Sequence, residues 1–95
     1  MKGLFVLHSA VQDASALEKV DSNDGAIILV VADRGAIAGG VEGCLEALRE
    51  RAKSLKGLLA SRGVPCEIVL EWGNAREVAS ACSQRENAEI INRFE

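Results

Sequence analysis

The feature that most constrains the fold is an unbroken run of seven apolar residues, Ala26–Ala32. Most of its side chains are β-branched, which favours an extended strand over a helix. A strand that is apolar at every position, rather than at every second one, is typical of a sheet covered on both faces. Such sheets belong mainly to α/β proteins, so this run predicts a central strand of a largely parallel sheet.

Strand-like and helix-like segments alternate along the rest of the chain. Short apolar stretches predict strands at 4–7, 66–71 (with Trp72 at its end) and 88–91, and helical spacing predicts helices at 11–20, 41–62 and 75–84. The order βαβαβαβ implies parallel pairing through right-handed crossovers. We therefore predict one α/β domain over residues 1–95, with three layers: a mostly parallel four-stranded sheet and helices on both of its faces.

The longest predicted helix has the clearest pattern. Its apolar side chains recur at steps of three and four and form one stripe: Leu45, Leu48, Ala52, Leu55 and Leu59. Gly63 stands where a left-handed residue would end the helix, and Pro65 follows it. One face of this helix is therefore expected to pack on the sheet.

Charge and cysteine usage limit the partners and the compartment. The net charge of −3 does not favour a nucleic-acid partner, which needs a basic face. No apolar run is long enough to span a bilayer, and the N-terminus lacks the features of a signal peptide. Cys44, Cys66 and Cys82 have the spacing of neither a disulfide framework nor a metal clip. We expect a cytoplasmic protein with reduced thiols and without nucleic-acid or membrane partners.

Short motifs along most of the chain resemble the universal stress protein family. Its members often run Gly-Val, a strand, Gly-x-Pro-Ala, a helix and then Ala-Asp-Leu-Ile-Val; the corresponding residues here are Gly63-Val64, Ile68-Val69-Leu70, Gly73-Asn74-Ala75 and Ala88-Glu89-Ile90-Ile91. Ala16-Leu17 and Gly25-Ala26 match the family's first helix and second strand. The resemblance implies an adenine-nucleotide α-hydrolase-like sheet of strand order 3-2-1-4, without the family's fifth strand.

The resemblance also implies where a nucleotide would bind. Nucleotide-binding members hold ATP with an Asp after the first strand, where this chain has His8, and with a glycine loop after the fourth, where this chain ends. We therefore expect ATP binding to be weak or lost, with no cofactor certain. The candidate binding residues lie at strand ends and in the glycine-rich segment: His8, Ser9, Ala10, Ala32, Asp33, Gly39, Gly40 and Gly43.

The glycine-rich segment lies between a strong strand and a strong helix, and it contains Gly35, Gly39, Gly40 and Gly43. The backbone N–H groups of such a loop can hold a phosphate at a helix N-terminus. The spacing is neither that of a Walker motif nor G-x-G-x-x-G. A plain surface loop is the other interpretation.

Two residue types suggest catalysis. His8, with Ser9 beside it at a strand end, can act as a general base that Asp13 would orient. The other interpretation is a structural histidine, with Asp13 serving as a charge at a helix N-terminus. The cysteines are expected to be small apolar core residues rather than nucleophiles.

Three functions follow from these features. The first is a universal-stress-protein-like regulatory module of the stress response, without chemistry of its own. The alternative is a protein-interaction module that acts through an exposed sheet edge, and the third is a small enzyme that uses His8 or a cysteine. A homodimer is expected, either at the last strand with Ile90, Ile91 and Phe94, or at the strand near Ile68 and Val69 with Trp72 as anchor.

Overall fold

The fold is built on a four-stranded parallel sheet. The computed structural model describes residues 2–8, 12–32 and 41–92, with 41–44 described by their backbone alone. The strands are β1 (Gly3–Leu7), β2 (Ala26–Ala32), β3 (Cys66–Trp72) and β4 (Glu89–Ile90). All the neighbouring pairs are parallel, and the strand order is β3-β2-β1-β4. The predicted α/β class and the order 3-2-1-4 are confirmed.

Among the described residues, three helical segments connect the strands: a short 3-10 helix (Ser15–Lys19), α1 (Val41–Ser61) and α2 (Ala75–Glu86). The helix predicted at 11–20 is present only as the 3-10 helix at 15–19, so its predicted length was wrong, and Val11 lies outside the described residues. The side chain of Asp13 accepts a hydrogen bond from the backbone N–H of Ser15. This local turn competes with helix formation, and only a short 3-10 helix follows it. In the described part of the chain, no helix has the combination of length and hydropathy that crossing a membrane requires.

β1 and β2 are buried on both faces of the sheet, which explains their continuous apolar runs. Alternate residues of these strands point to opposite sides. Phe5, Ile28 and Val30 pack on one side against the predicted stripe of α1 and the 3-10 helix. On the other side, Leu4, Ile27 and their neighbours pack against small residues of α2. The core is therefore two thin aliphatic layers on either side of β1 and β2.

α1 ends at Ser61, and Gly63 just beyond it has the left-handed conformation that the sequence predicted. Gly63 has φ +75°, and its N–H donates to the carbonyl of Ala60 at 3.0 Å. The next N–H, of Val64, donates to the carbonyl of Leu59 at 2.9 Å, and both of these side chains are buried. This pair of bonds is the Schellman arrangement with its usual hydrophobic contact, and it directs the chain into β3.

The turn from β3 into α2 depends on Gly73 and Asn74. Gly73 has φ +140°, and a Cβ placed there would lie 3.1 Å from Cγ2 of Val78. Asn74 is the N-cap of α2, where its Oδ1 accepts from the N–H groups of Arg76 and Glu77 at 3.0 and 3.3 Å. The side chain thus binds two of the N–H groups that a helix start leaves without partners.

Candidate functional site

The carboxyl edge of the sheet between β1 and β4 is a candidate ligand site. The 3-10 helix that follows β1 and the α2 helix that precedes β4 pack on opposite faces. Open α/β sheets bind ligands at such a switch point. His8 directly follows β1 and is exposed there, as the sequence predicted. Ser9 and Ala10, the next two candidates, lie outside the described residues.

At this switch point, two carboxamide side chains bind the backbone of Val6. Asn92 accepts from the Val6 N–H through Oδ1 and donates to the Val6 carbonyl through Nδ2, each at 2.9 Å. Gln12 donates to the same carbonyl at 2.7 Å, and its Oε1 accepts from the N–H of His8 at 3.0 Å. The part of β1 that extends beyond the short strand β4 thus has its outward backbone groups hydrogen-bonded by these two side chains.

Gln12 and Asn92 were missed by the reasoning from sequence. A carboxamide both donates and accepts, so it can replace a neighbouring strand for one residue. The available signal was an Asn directly after the last apolar stretch, at a position where β1 extends further than β4. That signal needs the strand pairing before it can be interpreted.

The structure does not assemble the predicted general-base pair. Oδ1 of Asp13 accepts from the Ser15 N–H at 2.8 Å, and this bond holds the pKa of the Asp13 carboxyl below its usual value. The backbone N–H of His8 donates to Gln12, not to Asp13. Asp13 therefore forms a local turn with Ser15 directly before the 3-10 helix, where the alternative interpretation had placed it as a charge at a helix N-terminus.

The nucleotide-binding candidates at and after the end of β2 lie in different settings. Ala32 is fully buried, and its carbonyl accepts from the N–H of Gly73 at 3.0 Å, so it belongs to the sheet ladder. Asp33, Gly39 and Gly40 lie outside the described residues. Gly43 was assigned both to the glycine-rich segment and to the helix predicted at 41–62; α1 begins at Val41, so Gly43 lies within its first turn.

The two cysteines with described side chains have the properties of core residues. Cys82 is buried on the sheet-facing side of α2 and Cys66 is half-buried on β3, and neither is in a disulfide. Burial raises the pKa of both thiols. A raised pKa lowers the thiolate fraction, which is the opposite of what a nucleophile needs. Among the described residues, no group of His, Cys, Asp and Glu could hold a metal ion.

The most unusual surface lies on β3, at the edge of the sheet. Three large apolar side chains are exposed at alternate positions of this strand: Ile68 (38%), Leu70 (38%) and Trp72 (44%). Their register partners on β2 include Ile28 and Val30, so they stand on the α1 side of the sheet. We call these three residues the β3 edge patch.

The phase of the backbone ladder adds to this observation. Ala26 N–H donates to the Pro65 carbonyl at 2.8 Å, and Gly73 N–H donates to the Ala32 carbonyl at 3.0 Å. Bonding residues alternate along a strand in a parallel ladder, so Val69 and its odd-numbered neighbours bond to β2. The N–H and C=O groups of Ile68 and Leu70 consequently point away from the sheet. No strand within 2–8, 12–32 and 41–92 adjoins that outer side of β3.

The opposite face of β3 carries Glu67 and Glu71 on either side of Val69, which packs against the core, and both charges have partners. Glu67 is 3.3 Å from Nζ of Lys2, and Glu71 is 3.5 Å from a guanidinium nitrogen of Arg85. All four side chains are substantially exposed, so these ion pairs add little stability. They do reduce the negative charge that an approaching strand would meet at this edge.

The other edge of the sheet is much shorter. β4 has two residues, Glu89 and Ile90, against seven in β3. Ile90 and Ile91 are half-buried, and Phe94 lies outside the described residues. Of the two predicted dimer surfaces, the one on β3 therefore offers the longer strand and more exposed apolar side chains.

Comparisons with known proteins do not identify a family or a function for this chain. No protein-family model, no curated protein and no solved structure matches this chain. The relationship to the universal stress protein family therefore stays a prediction that rests on the short motifs.

A cleft of about 420 Å³ lies between the 3-10 helix and α1. Leu17, Leu55 and the 60% exposed Leu58 form much of its wall. Arg62 closes one end by donating to the carbonyls of Leu17 and Glu18. Nε of Arg51 is buried without an acceptor among the described residues. A single donor in an open cleft does not define a ligand, so this feature supports no particular chemistry.

Proposed function

We propose that this chain is a protein-interaction module that binds an extended segment of another chain along β3. The observation that supports the proposal is a coincidence of two properties on the same residues. Ile68 and Leu70 direct their backbone groups to the open edge, and both also expose large apolar side chains. Soluble proteins usually shorten, charge or cover such an edge.

The proposed binding mode is the addition of one strand to the sheet. Backbone hydrogen bonds to Ile68 and Leu70 would supply affinity of about 0.5–1.5 kcal/mol each. Contacts with the β3 edge patch would supply specificity, because only every second side chain of the added strand faces it. A partner segment with alternating apolar residues fits this surface best.

A library of displayed peptides tests the proposal. We expect selection on the protein to enrich extended sequences with apolar residues at alternate positions. Their binding should be lost in Leu70→Lys and kept in Leu58→Lys, which places the same charge on an exposed leucine of α1 away from β3. Peptides that bind both variants equally would show that β3 is not the binding site.

A universal-stress-protein-like regulatory role is the second candidate. The specific observation in its favour is the strand order β3-β2-β1-β4, with His8 at the switch point. In this role ATP binding would be weak or lost, because Gln12 and Asn92 already bind Val6 at that crevice. Calorimetry with ATP tests this candidate, and tight stoichiometric binding would contradict the expected weak affinity.

A cytoplasmic location belongs to the proposal as well. Its support is that Cys66 and Cys82 are both free thiols. Reduced cysteines are the norm in the cytosol, whereas small secreted domains depend on disulfides. Fractionation of cells that express the tagged protein checks this expectation.

A further inference from the structure

We infer that the segment bound by the β3 edge is β3 of a second copy of this chain, in an antiparallel two-fold pair centred on Leu70. The inference rests on the proposed function, because it names the partner of the same edge. It would join the four strands of each copy into one continuous sheet. The argument has three steps: symmetry, ladder phase and side-chain register.

Symmetry restricts the pairing to one direction. Closed pairs of identical chains use the same surface twice, related by a two-fold axis. When that surface is one edge of one strand and the axis is perpendicular to the sheet, the two strands run antiparallel. The α1 faces of both copies then lie on the same side, so the two β3 edge patches become neighbours.

The ladder phase permits this pairing. In an antiparallel pair, directly opposite residues exchange both of their backbone bonds at every second position. The outward-pointing residues of β3 include Ile68 and Leu70. A two-fold axis at Leu70 places Leu70 opposite the partner's Leu70, where both residues have outward N–H and C=O groups.

Side-chain register selects Leu70 over the next centre. An axis at Val69 would put Glu67 directly opposite the partner's Glu71, in a non-hydrogen-bonded pair where side chains are closest. An axis at Leu70 avoids this like-charge pair and places Val69 opposite the partner's Glu71 instead. It also places Ile68 opposite the partner's Trp72, a favourable pairing of a β-branched and an aromatic side chain.

Hydrogen exchange measured by NMR across a dilution series tests the pairing. In dilute protein, the amides of Ile68 and Leu70 should exchange fast, while the amides of Val69 and Glu71, which bond to β2, exchange slowly. In concentrated protein, the first two should become protected. Leu70→Lys should weaken association by at least about tenfold, roughly 1.4 kcal/mol or more, and Leu58→Lys should leave it unchanged. Circular dichroism would establish that both variants are folded.

Cysteine cross-linking tests the register. In a background with Cys44→Ala, Cys66→Ala and Cys82→Ala, we expect Leu70→Cys to form a symmetric disulfide with oxidised glutathione, because opposite residues are within disulfide reach. Val69→Cys should not cross-link. Preferential cross-linking through Val69→Cys would overturn the register.

Two results would overturn self-pairing itself: a monomer at all concentrations up to millimolar, or a dimer whose Leu70 amide still exchanges fast. Neither result removes the proposed function, because the displayed-peptide selection tests strand addition independently. If that selection also fails, the proposed function fails with it.

Discussion

Asn92 replaces a missing strand residue beside Val6. Its Oδ1 accepts from the Val6 N–H and its Nδ2 donates to the Val6 carbonyl, both at 2.9 Å. β4 has only two residues and ends at Ile90, so without Asn92 the Val6 N–H would have no partner on that side within the described residues, and the Val6 carbonyl would have only Gln12. The side chain therefore extends the ladder by one residue and closes this edge of the sheet.

Replacing Asn92 should destabilise the protein. Asn92→Ala leaves the Val6 carbonyl with its bond from Gln12 but leaves the Val6 N–H without a partner, so a loss of about 1–3 kcal/mol is expected. Urea denaturation measures this loss. Asn23→Ala, in the exposed turn after the 3-10 helix, is the matched control and should change the free energy of unfolding little.

Asn92→Asp adds a pH test of the same contact. An ionised carboxylate accepts from the Val6 N–H but cannot donate to the Val6 carbonyl, whereas a protonated carboxyl group can do both. We expect Asn92→Asp to regain stability relative to wild type as the pH falls through the carboxyl range. A constant stability difference between pH 7 and pH 4 would contradict the two-bond contact.

Proline should distinguish the two sides of β3. Val69→Pro removes an N–H that the ladder phase directs at β2, whereas Leu70→Pro removes one that points away from the sheet. Proline is tolerated where its missing N–H faces an open edge. Val69→Pro should therefore lower the free energy of unfolding by about 2 kcal/mol more than Leu70→Pro. Equal losses in urea denaturation would show that the assigned phase is wrong.

Three glycines should respond to alanine in different ways. Gly57 lies exposed inside α1 with open space around a Cβ, so Gly57→Ala should stabilise the protein by about 0.5–1 kcal/mol. Gly63→Ala has space too, but φ +75° makes it destabilising by about 1 kcal/mol. Gly73→Ala should be worst, because φ +140° is combined with contact to Val78. Thermal unfolding of the three variants checks this order.

The buried thiols should make stability fall in mild alkali. Burial raises the pKa of Cys82, so the folded protein holds that proton more tightly than the unfolded chain does. The resulting stability is present below the ordinary thiol pKa of about 8.5 and is lost as pH rises towards the raised value. Urea denaturation between pH 7.5 and 9.5 should show this decline, and Cys82→Ala should make it shallower.

Thiol labelling of the native protein gives an independent check. Cys82 is buried and Cys66 is half-buried, so both should react slowly at pH 7 and faster in denaturant. Rapid native modification of Cys82 would contradict its burial between α2 and the sheet.

The sequence determined the strands and the class of the fold because the signal is local and repeated. β2 was predicted at its observed bounds. A strand with seven consecutive apolar residues is stable only when both of its faces are buried, and β2 is buried throughout. The apolar stripe of α1 and the left-handed conformation of Gly63 could also be predicted from the sequence. Both depend on residues that are close together along the chain. The 3-10 helix was harder to predict, because a single side-chain bond from Asp13 competes there with a weak helical pattern.

The surface that we propose as the binding site was decided by tertiary structure. The sequence named Ile68, Val69 and Trp72 as one of two edges, but whether an apolar residue is buried depends on which strands adjoin it. The order β3-β2-β1-β4 leaves β3 outermost, and the pairing with β2 turns the backbone of Ile68 and Leu70 outward. The bond from Asn92 to Val6 joins residues 86 positions apart. Contacts over such separations exist only once the chain has folded, so local pattern determined the elements and long-range pairing determined the edges.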